Sequence, residues 1–300
     1  MHVVLSVVFA VLAALANATS SVLQRKGARR QSEDRSMSLR MLWDLAHEPP
    51  WLAGVVAILT GFVLQAAALA TGPITLIQPL LVTELGFTLV LSRLLLRAGV
   101  HAREWSAAAG MTAGIALLLV SLRPRSGDVR AVPLLEWGLA GGVTLALIGA
   151  LIVVAFRKHY AHRAAYLGIA SGMYFGFLAA LVSGMTAAFA GGIGAVFGAW
   201  QTYAVLVVGP LGFVLLQNTL RAGSLVASQP GLTLANPLVS IGWGVVVFGE
   251  QVRGGGWIAG QVIGAALIAA CTILLARSPV LQGSEGATEE DEPSEEQAPR

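Results

Sequence analysis

Nine long apolar segments constrain the fold of this chain more than any other feature. An α-helix needs about 20 mostly apolar residues to cross the hydrocarbon core of a bilayer, and each segment is close to that length. The segments span roughly 3–23, 51–70, 74–96, 105–121, 133–155, 163–186, 201–220, 224–248 and 256–276. Charged residues make up only 12% of the chain, about half of their share in soluble domains. The sequence therefore predicts an all-α, multi-pass membrane protein.

The first segment has two interpretations, a signal peptide or a retained helix. Ala14-Leu15-Ala16 offers small residues for cleavage, but Lys and Arg are missing before the segment and the basic stretch QRKGARR directly follows it. A secretory signal has its basic residues in the opposite place. We expect a retained helix, which puts the sequon at Asn17 inside the membrane.

Basic residues fall mainly in alternate loops, and this asymmetry predicts the orientation. Fourteen Lys and Arg residues follow segments 1, 3, 5, 7 and 9, whereas four lie in the loops between the other segments. Because cytoplasmic loops are enriched in Lys and Arg, we expect the N-terminus outside, the C-terminus inside, and a cytoplasmic basic loop at 24–50. The acidic stretch 281–300 has no aromatic residue and is expected to be a disordered cytoplasmic tail.

One sequence pattern occurs twice. GFVLQAAALATGPITLIQP begins at Gly61 and GFVLLQNTLRAGSLVASQP begins at Gly212, with an offset of 151 residues throughout. Trp105 and Trp257 extend the match with one residue of slippage. The second copy is displaced by five segments, an odd number, so it would cross the membrane upside down. Inverted-topology repeats are typical of many secondary transporters.

These repeats predict the domain organisation. We expect a first transmembrane repeat at 1–123, a second at 124–280 and the tail at 281–300. Their order pairs segments 1–4 with segments 6–9 and leaves segment 5 over. The sequence does not settle which helix is unpaired.

Segment 8 carries four hydrogen-bonding side chains on one face, at Gln229, Thr233, Asn236 and Ser240. On a helix their spacing keeps them within about 80° of one another, so this face meets protein or water rather than lipid. One interpretation is the lining of a polar cavity that binds substrate. The alternative is hydrogen bonding between helices, at about 0.6 kcal/mol per contact.

Segment 3 carries Glu84 at the middle of its span, with Gln78 and Thr88 on the same side. An acid at the bilayer centre costs roughly 3 kcal/mol on insertion scales, so it is a functional candidate. Glu84 would bind substrate or a cation, which makes it the metal candidate of the chain, or it would exchange a proton. The alternative is a protonated structural Glu that is bonded to Gln65 or Gln217.

Polar residues outside these two faces complete the set of candidates. Gln65, Gln217 and Asn218 lie in the repeated segments 2 and 7, where they would join the substrate-binding faces or remain structural. Glu250 lies at the outer end of segment 8 beside Arg253, and we expect it to be a solvated loop residue. The single cysteine excludes an internal disulfide.

Glycines recur at intervals of four residues in two segments. Such small-residue patterns let membrane helices approach closely, and we interpret them as packing sites and not as ligand sites. They lie at Gly168, Gly172 and Gly176 and at Gly256, Gly260 and Gly264.

Four stretches of the chain carry a family resemblance: SSVLQRKGARR, TGPITLIQPLLV, ASGMYFGFLAALVSGM and ANPLVSIGWGVVVFGEQV. They resemble the drug/metabolite transporter superfamily, and within it the NIPA-like and EamA-like groups. The resemblance covers residues 1–277. In the first half the superfamily's Gly-Glu-Arg turn is replaced by SRLLLRAGVHAREW. The resemblance implies transport, with magnesium as the solute of the NIPA-like group.

These features together predict a plasma-membrane secondary transporter that moves a small polar solute by alternating access, with coupling to protons or cations left open. A magnesium or other divalent-cation permease is the second hypothesis. A non-transporting membrane scaffold or regulatory subunit is the third.

We expect no enzymatic activity, because no His, Asp and Ser constellation lies at membrane depth, and we expect no cofactor. GGIGAVFG at 191–198 misses the dinucleotide fingerprint, so no nucleotide is expected to bind. No nucleic acid is expected either, because the basic residues are confined to short loops and indicate membrane orientation. The expected partners are the lipid bilayer and a small polar solute or cation. Whether the chain acts as a homodimer is left open.

Overall fold

A computed structural model of the protein describes residues 2–28, 49–96, 99, 101–157, 160–222 and 225–278. The predicted basic loop lies mostly outside these residues, and the predicted acidic tail lies wholly outside them. Within the described ranges the secondary structure is helical apart from turns and one isolated bridge.

Nine helices of the described part are long and apolar enough to cross a membrane, the third of them in two pieces. We number them α1 (His2–Ala28), α2 (Pro49–Thr71), α3a (Ile74–Leu81), α3b (Glu84–Leu96), α4 (Ala102–Leu122), α5 (Leu134–Arg157), α6 (Tyr160–Ala187), α7 (Trp200–Arg221), α8 (Leu225–Gly242) and α9 (Trp257–Ala276). The predicted segments coincide with these helices to within about one helical turn, except that α1 ends five residues later and α8 six residues earlier than predicted. The all-α, multi-pass prediction is confirmed.

The third helix is broken, whereas the sequence predicted one continuous segment. Val82 and Thr83 separate the two pieces, and they follow Pro79, which lies inside α3a and has no N–H to donate. The chain tightens after it, with hydrogen bonds from Val82 N–H to the Pro79 carbonyl (3.2 Å) and from Thr83 N–H to the Leu80 carbonyl (3.1 Å). Glu84 therefore begins α3b instead of lying in the middle of a helix.

Two groups of helices enclose the centre of the protein. α1 packs along α2 and against both parts of α3, whereas α6 packs along α5, α7 and α8. The groups meet where α3a contacts α8 and where α2 contacts α6. This arrangement puts α1, α2, α3, α6 and α8 around a common interior.

Glycines bring α6 and α8 into contact. A Cβ on Gly172 would lie 2.6 Å from the Leu232 carbonyl oxygen, and one on Gly176 would lie 2.8 Å from that of Asn236. Gly168 is packed as closely against Ser228. The residue numbers of successive contacts increase along both helices, so α6 and α8 run parallel. This glycine pattern packs helices as predicted.

Glycines also bring α4 and α9 together, and here the contacts come in equivalent pairs. Gly110 faces Cys271 on α9, and Gly260 faces Ser121 on α4. Gly260 and Cys271 lie 150 residues after Gly110 and Ser121 respectively. From one contact to the next the residue number increases on α4 and decreases on α9, so the two helices are antiparallel. The prediction does not hold for Gly256, which has no neighbour within 4 Å of a Cβ position.

Aromatic residues fill the region where α8 ends. After Gly242 the helix widens into a π-helical turn over Trp243–Val247. The Trp243 ring lies 5.2 Å from that of Trp137 and 5.5 Å from that of Phe177. We call Trp137, Phe177, Trp243 and Phe248 the aromatic cluster, since Phe248 also packs on both tryptophans.

Candidate solute-binding cavity

A cavity of about 410 Å³ lies between α1, α2, α3, α6 and α8. This volume is within the range of small-molecule binding sites. Apolar side chains form part of its wall, among them Phe62, Leu85 and Phe175. Polar side chains from α1, α2, α3 and α8 form the rest.

Six of the ten predicted site residues line this cavity, namely Gln65, Gln78, Glu84, Gln229, Thr233 and Asn236. Residues from both predicted repeats therefore contribute to one space. Gln78 and Gln229 occupy equivalent positions in the repeated pattern, each directly before a proline. The polar face predicted for α8 is turned towards the cavity as far as Asn236.

Glu84 is the one ionisable side chain among the described residues that line the cavity. Its carboxyl group is hydrogen-bonded to the side chain of Asn17 on α1. The predicted structural alternative named Gln65 or Gln217 as the partner, and the structure replaces both with Asn17. A carboxylate with one flexible amide partner can take up a proton, a cation or a hydrogen-bond donor from a solute.

Asn17 and Ser21 also line the cavity, and neither is among the predicted site residues. Their spacing of four residues puts them on one face of α1, and that signal was available in the sequence. Asn17 packs so closely on Gly61 that no Cβ fits between them. Gly61 opens the first copy of the repeated pattern, so one role of this glycine is to admit the partner of Glu84.

Gln78 lies in the cavity wall but does not present its amide to the open space. The residue is 1% exposed, and neither its amide oxygen nor its amide nitrogen has a hydrogen-bond partner. An unpaired buried amide costs free energy. Among the described residues, Gln78 thus contributes to the cavity wall a buried amide that has no hydrogen-bond partner within the protein.

Four predicted site residues lie outside the cavity. Thr88 donates to the Glu84 backbone carbonyl (2.8 Å), and Ser240 lies behind the wall, 3.4 Å from the side-chain oxygen of Asn236. Gln217 does not line the space, and Asn218 is exposed and donates to the Val214 carbonyl (2.9 Å).

The position of α7 explains why Gln217 and Asn218 are absent from the cavity. No described residue of α7 lines the space. Leu216, which stands at the offset of 151 from Gln65, does not line it either.

Glu250 is buried, and the prediction of a solvated loop residue is wrong. Only 4% of the surface of Glu250 is exposed. One carboxyl oxygen accepts from Ile74 N–H (2.8 Å), and the other accepts from Thr75 N–H (3.1 Å) and from the Thr75 hydroxyl (2.6 Å). Burial raises the pKa of Glu250, while these three hydrogen bonds oppose the shift. The free N–H groups that open any helix are the signal that an acceptor is needed there.

A protein of Corynebacterium glutamicum that is described as uncharacterized is 30% identical to this chain over 282 residues. The match covers 92% of this chain and 96% of that protein. The chain belongs to the same family as that protein. No protein-family model matches the chain. No solved structure matches it either.

Proposed function

We propose that this protein is a plasma-membrane secondary transporter that moves a small polar solute by alternating access. The observation that carries the proposal is the cavity. Gln78 and Gln229, from the Gln-Pro motifs of the two halves, line the same space as the Glu84 carboxyl group. A scaffold has no need of an interior space lined by polar side chains, since polar groups inside a membrane protein are costly.

The paired contacts of α4 and α9 support two inverted halves. Gly110 against Cys271 and Gly260 against Ser121 are the same contact seen from either helix. A two-fold axis in the membrane plane would relate such antiparallel helices, and transporters with inverted repeats bind solute near that axis. In the proposed orientation the N-terminus is outside and the C-terminus is inside.

The charge of the cavity wall favours a cationic or neutral solute. Among the described residues that line it, Glu84 is acidic and no side chain is basic. An anion would face Glu84 without a positive partner, whereas a cation or a hydrogen-bond donor would replace Asn17 at the carboxyl group. Coupling to a proton or a cation belongs to the same proposal.

A divalent-cation permease is the second candidate. Glu84 and the amide oxygens of Asn17, Gln65 and Asn236 are the oxygen ligands that Mg²⁺ prefers. With one carboxylate in the cavity, the ion would have to keep several of its waters.

Transport by the purified protein in sealed liposomes tests the proposal. MgCl₂, small amines, amino acids and neutral polyols would be offered in turn, and uptake measured with and without a pH gradient. We expect the protein to transport at least one of these solute classes. Asn236→Ala should reduce the initial rate of that transport about tenfold or more, because it removes one buried hydrogen bond to the solute.

Asn218→Ala is the matched control, because it removes the same amide from an exposed site. It should leave the rate unchanged. Equal loss in both variants, or no movement of any class by folded protein, would contradict the proposed function.

A further inference from the structure

Glu250 connects the loop after α8 to the first turn of α3a. Its two carboxyl oxygens take up the N–H groups of Ile74 and Thr75 together with the Thr75 hydroxyl. The first N–H groups of a helix have no acceptor within the helix, and Pro73 precedes these two. A carboxylate is well suited there, because the helix N-terminus carries partial positive charge.

The loop that holds Glu250 is itself anchored. Glu250 N–H donates to the Gly244 carbonyl (2.8 Å), and the backbones of Arg125 and Gln251 are bridged by two hydrogen bonds (2.9 and 3.2 Å). Arg253 N–H donates to the last turn of α4 (3.0 Å). Glu250 therefore lies on a loop that is fixed to the α4–α9 pair, and its carboxyl group binds the first turn of α3a. We call the Glu250 carboxyl group, with its hydrogen bonds to Ile74 and Thr75, the clamp.

The clamp lies at one end of the cavity. Trp243 is two helical turns beyond Asn236 on the same helix, and it packs on Phe177. Phe177 is directly followed by Leu178, which lines the cavity. Gly244 then packs against Ile74 and the Glu250 carboxyl group. The aromatic cluster and Glu250 thus lie at the same end of α8, beyond the cavity residue Asn236.

The repeated pattern does not provide the same clamp at the other end. At the offset of 151 the counterpart of Glu250 is Gly99, which has no side chain to donate or accept. With an offset of 152 it is Ala98. The two ends of the cavity therefore differ in the chemistry available to close them.

We propose that Glu250 is a positioning residue for transport: its hydrogen bonds to α3a hold the aromatic-cluster end of the cavity closed, and their release opens that end to water. The inference rests on the proposed function, since a closing device matters only if the cavity carries solute. Release of α3a would also free Gln78, whose buried amide has no partner in the closed arrangement.

The experiment uses a cysteine reporter in the cavity wall near this end. Val182→Cys is placed in a Cys271→Ser background, because serine already occupies the equivalent position at Ser121. Val182 is 2% exposed, so the reporter should react slowly in the closed form. A membrane-impermeant thiol reagent is added to one face of sealed vesicles at a time, and Gln251→Cys marks the face that carries the clamp.

Glu250→Ala should increase the labelling rate of the reporter about tenfold or more from the marked face only, the change expected when a buried hydrogen bond is lost. Thr75→Val removes the hydroxyl donor alone and should give a smaller increase in the same direction. Glu250→Gln should give a labelling rate between those of the parent and Glu250→Ala, because its amide oxygen still accepts from Ile74 N–H while its NH₂ group leaves Thr75 N–H without an acceptor. Glu136→Ala removes an exposed acid elsewhere and should change nothing.

Unchanged labelling in folded Glu250→Ala would overturn the proposal, as would an equal increase from both faces, which indicates general loosening. If Glu250→Ala does not fold, Thr75→Val decides by the same criteria. The labelling assay contains no solute, so it tests the clamp separately from transport. If the variants label as expected but the protein transports no solute, the clamp is supported and the proposed function is contradicted.

Discussion

Glu84 and Glu250 are both glutamates in largely apolar surroundings, yet their partners differ in kind. Glu250 binds three donors, two of them backbone N–H groups that cannot move without α3a. Glu84 binds one side-chain amide, that of Asn17, at the edge of a cavity. The rigidity and number of the partners, rather than burial, separate a carboxyl group that holds structure from one that can exchange its partner.

The structure corrects the expectation from sequence for Glu250 and not for Glu84, which lines the cavity as predicted. Depth along the hydrophobic pattern made Glu84 the buried acid and Glu250 the solvated one. In the structure Glu250 is 4% exposed, whereas Glu84 is only partly buried and faces the open space. Three tests sharpen this contrast, taken in order of their expected effect on stability.

Replacement of Glu250 by Leu should have the largest effect. It strands the N–H groups of Ile74 and Thr75 and the Thr75 hydroxyl in a buried place, and each unsatisfied group costs about 1–3 kcal/mol. We expect a large fall in the midpoint of thermal unfolding of the purified protein. Glu136→Leu replaces an exposed acid, and its free energy of unfolding should lie within about 0.5 kcal/mol of that of the parent. Equal midpoints for the two variants would show that the three hydrogen bonds of Glu250 do not stabilise the fold.

A pH series should have an intermediate effect. The pKa of Glu250 is raised above its ordinary value of 4.5 because burial disfavours the charged form. A raised pKa means that the folded state holds this proton more tightly than the unfolded state. Its contribution to stability is therefore complete at low pH and declines as the pH rises through the folded-state pKa. The unfolding midpoint of the parent should fall relative to that of Glu250→Gln as the pH increases from 4.5 towards neutral.

Charged neighbours do not account for this pH dependence. On the adjoining loops, Asp128 accepts from two backbone N–H groups, and the Arg253 guanidinium lies over the Trp257 ring at 4.5 Å. Arg125 is exposed. Within the described residues none of these groups pairs with the Glu250 carboxyl. A parallel pH course for the parent and Glu250→Gln would assign the titration to another group.

Glu84→Gln should have the smallest effect on stability and the largest on transport. The Gln carbonyl can still accept from Asn17, so the unfolding midpoint should change by less than that of a typical core variant. Accumulation against a gradient should be lost if Glu84 carries the coupling proton, while exchange of solute across the membrane persists. If Glu84 binds a cation instead, apparent affinity falls and the maximal rate remains.

Normal accumulation by Glu84→Gln at the parent's membrane level would exclude both roles. It would then leave Glu84 as a structural residue like Glu250. Accumulation is best followed with whichever solute class the liposome assay identifies, at two external pH values.

Residue types and periodicity predicted part of the cavity. Gln229, Thr233 and Asn236 follow one face of a helix, so the helical period alone predicts that they share an environment. The same reasoning extended the face to Ser240, which lies behind the wall. Gln217 lies in a repeated motif, but no described residue of its helix, α7, lines the cavity.

The sequence by itself determined the nine apolar helices, because a bilayer requires a certain length of apolar chain and satisfied backbone hydrogen bonds, and both are local properties. Only the tertiary structure decided that Asn17 is the partner of Glu84, and that Glu250 reaches residues 175 and 176 positions away along the chain. Such pairs depend on the rotation and tilt of each helix, which are set by packing against neighbouring helices and not by hydropathy.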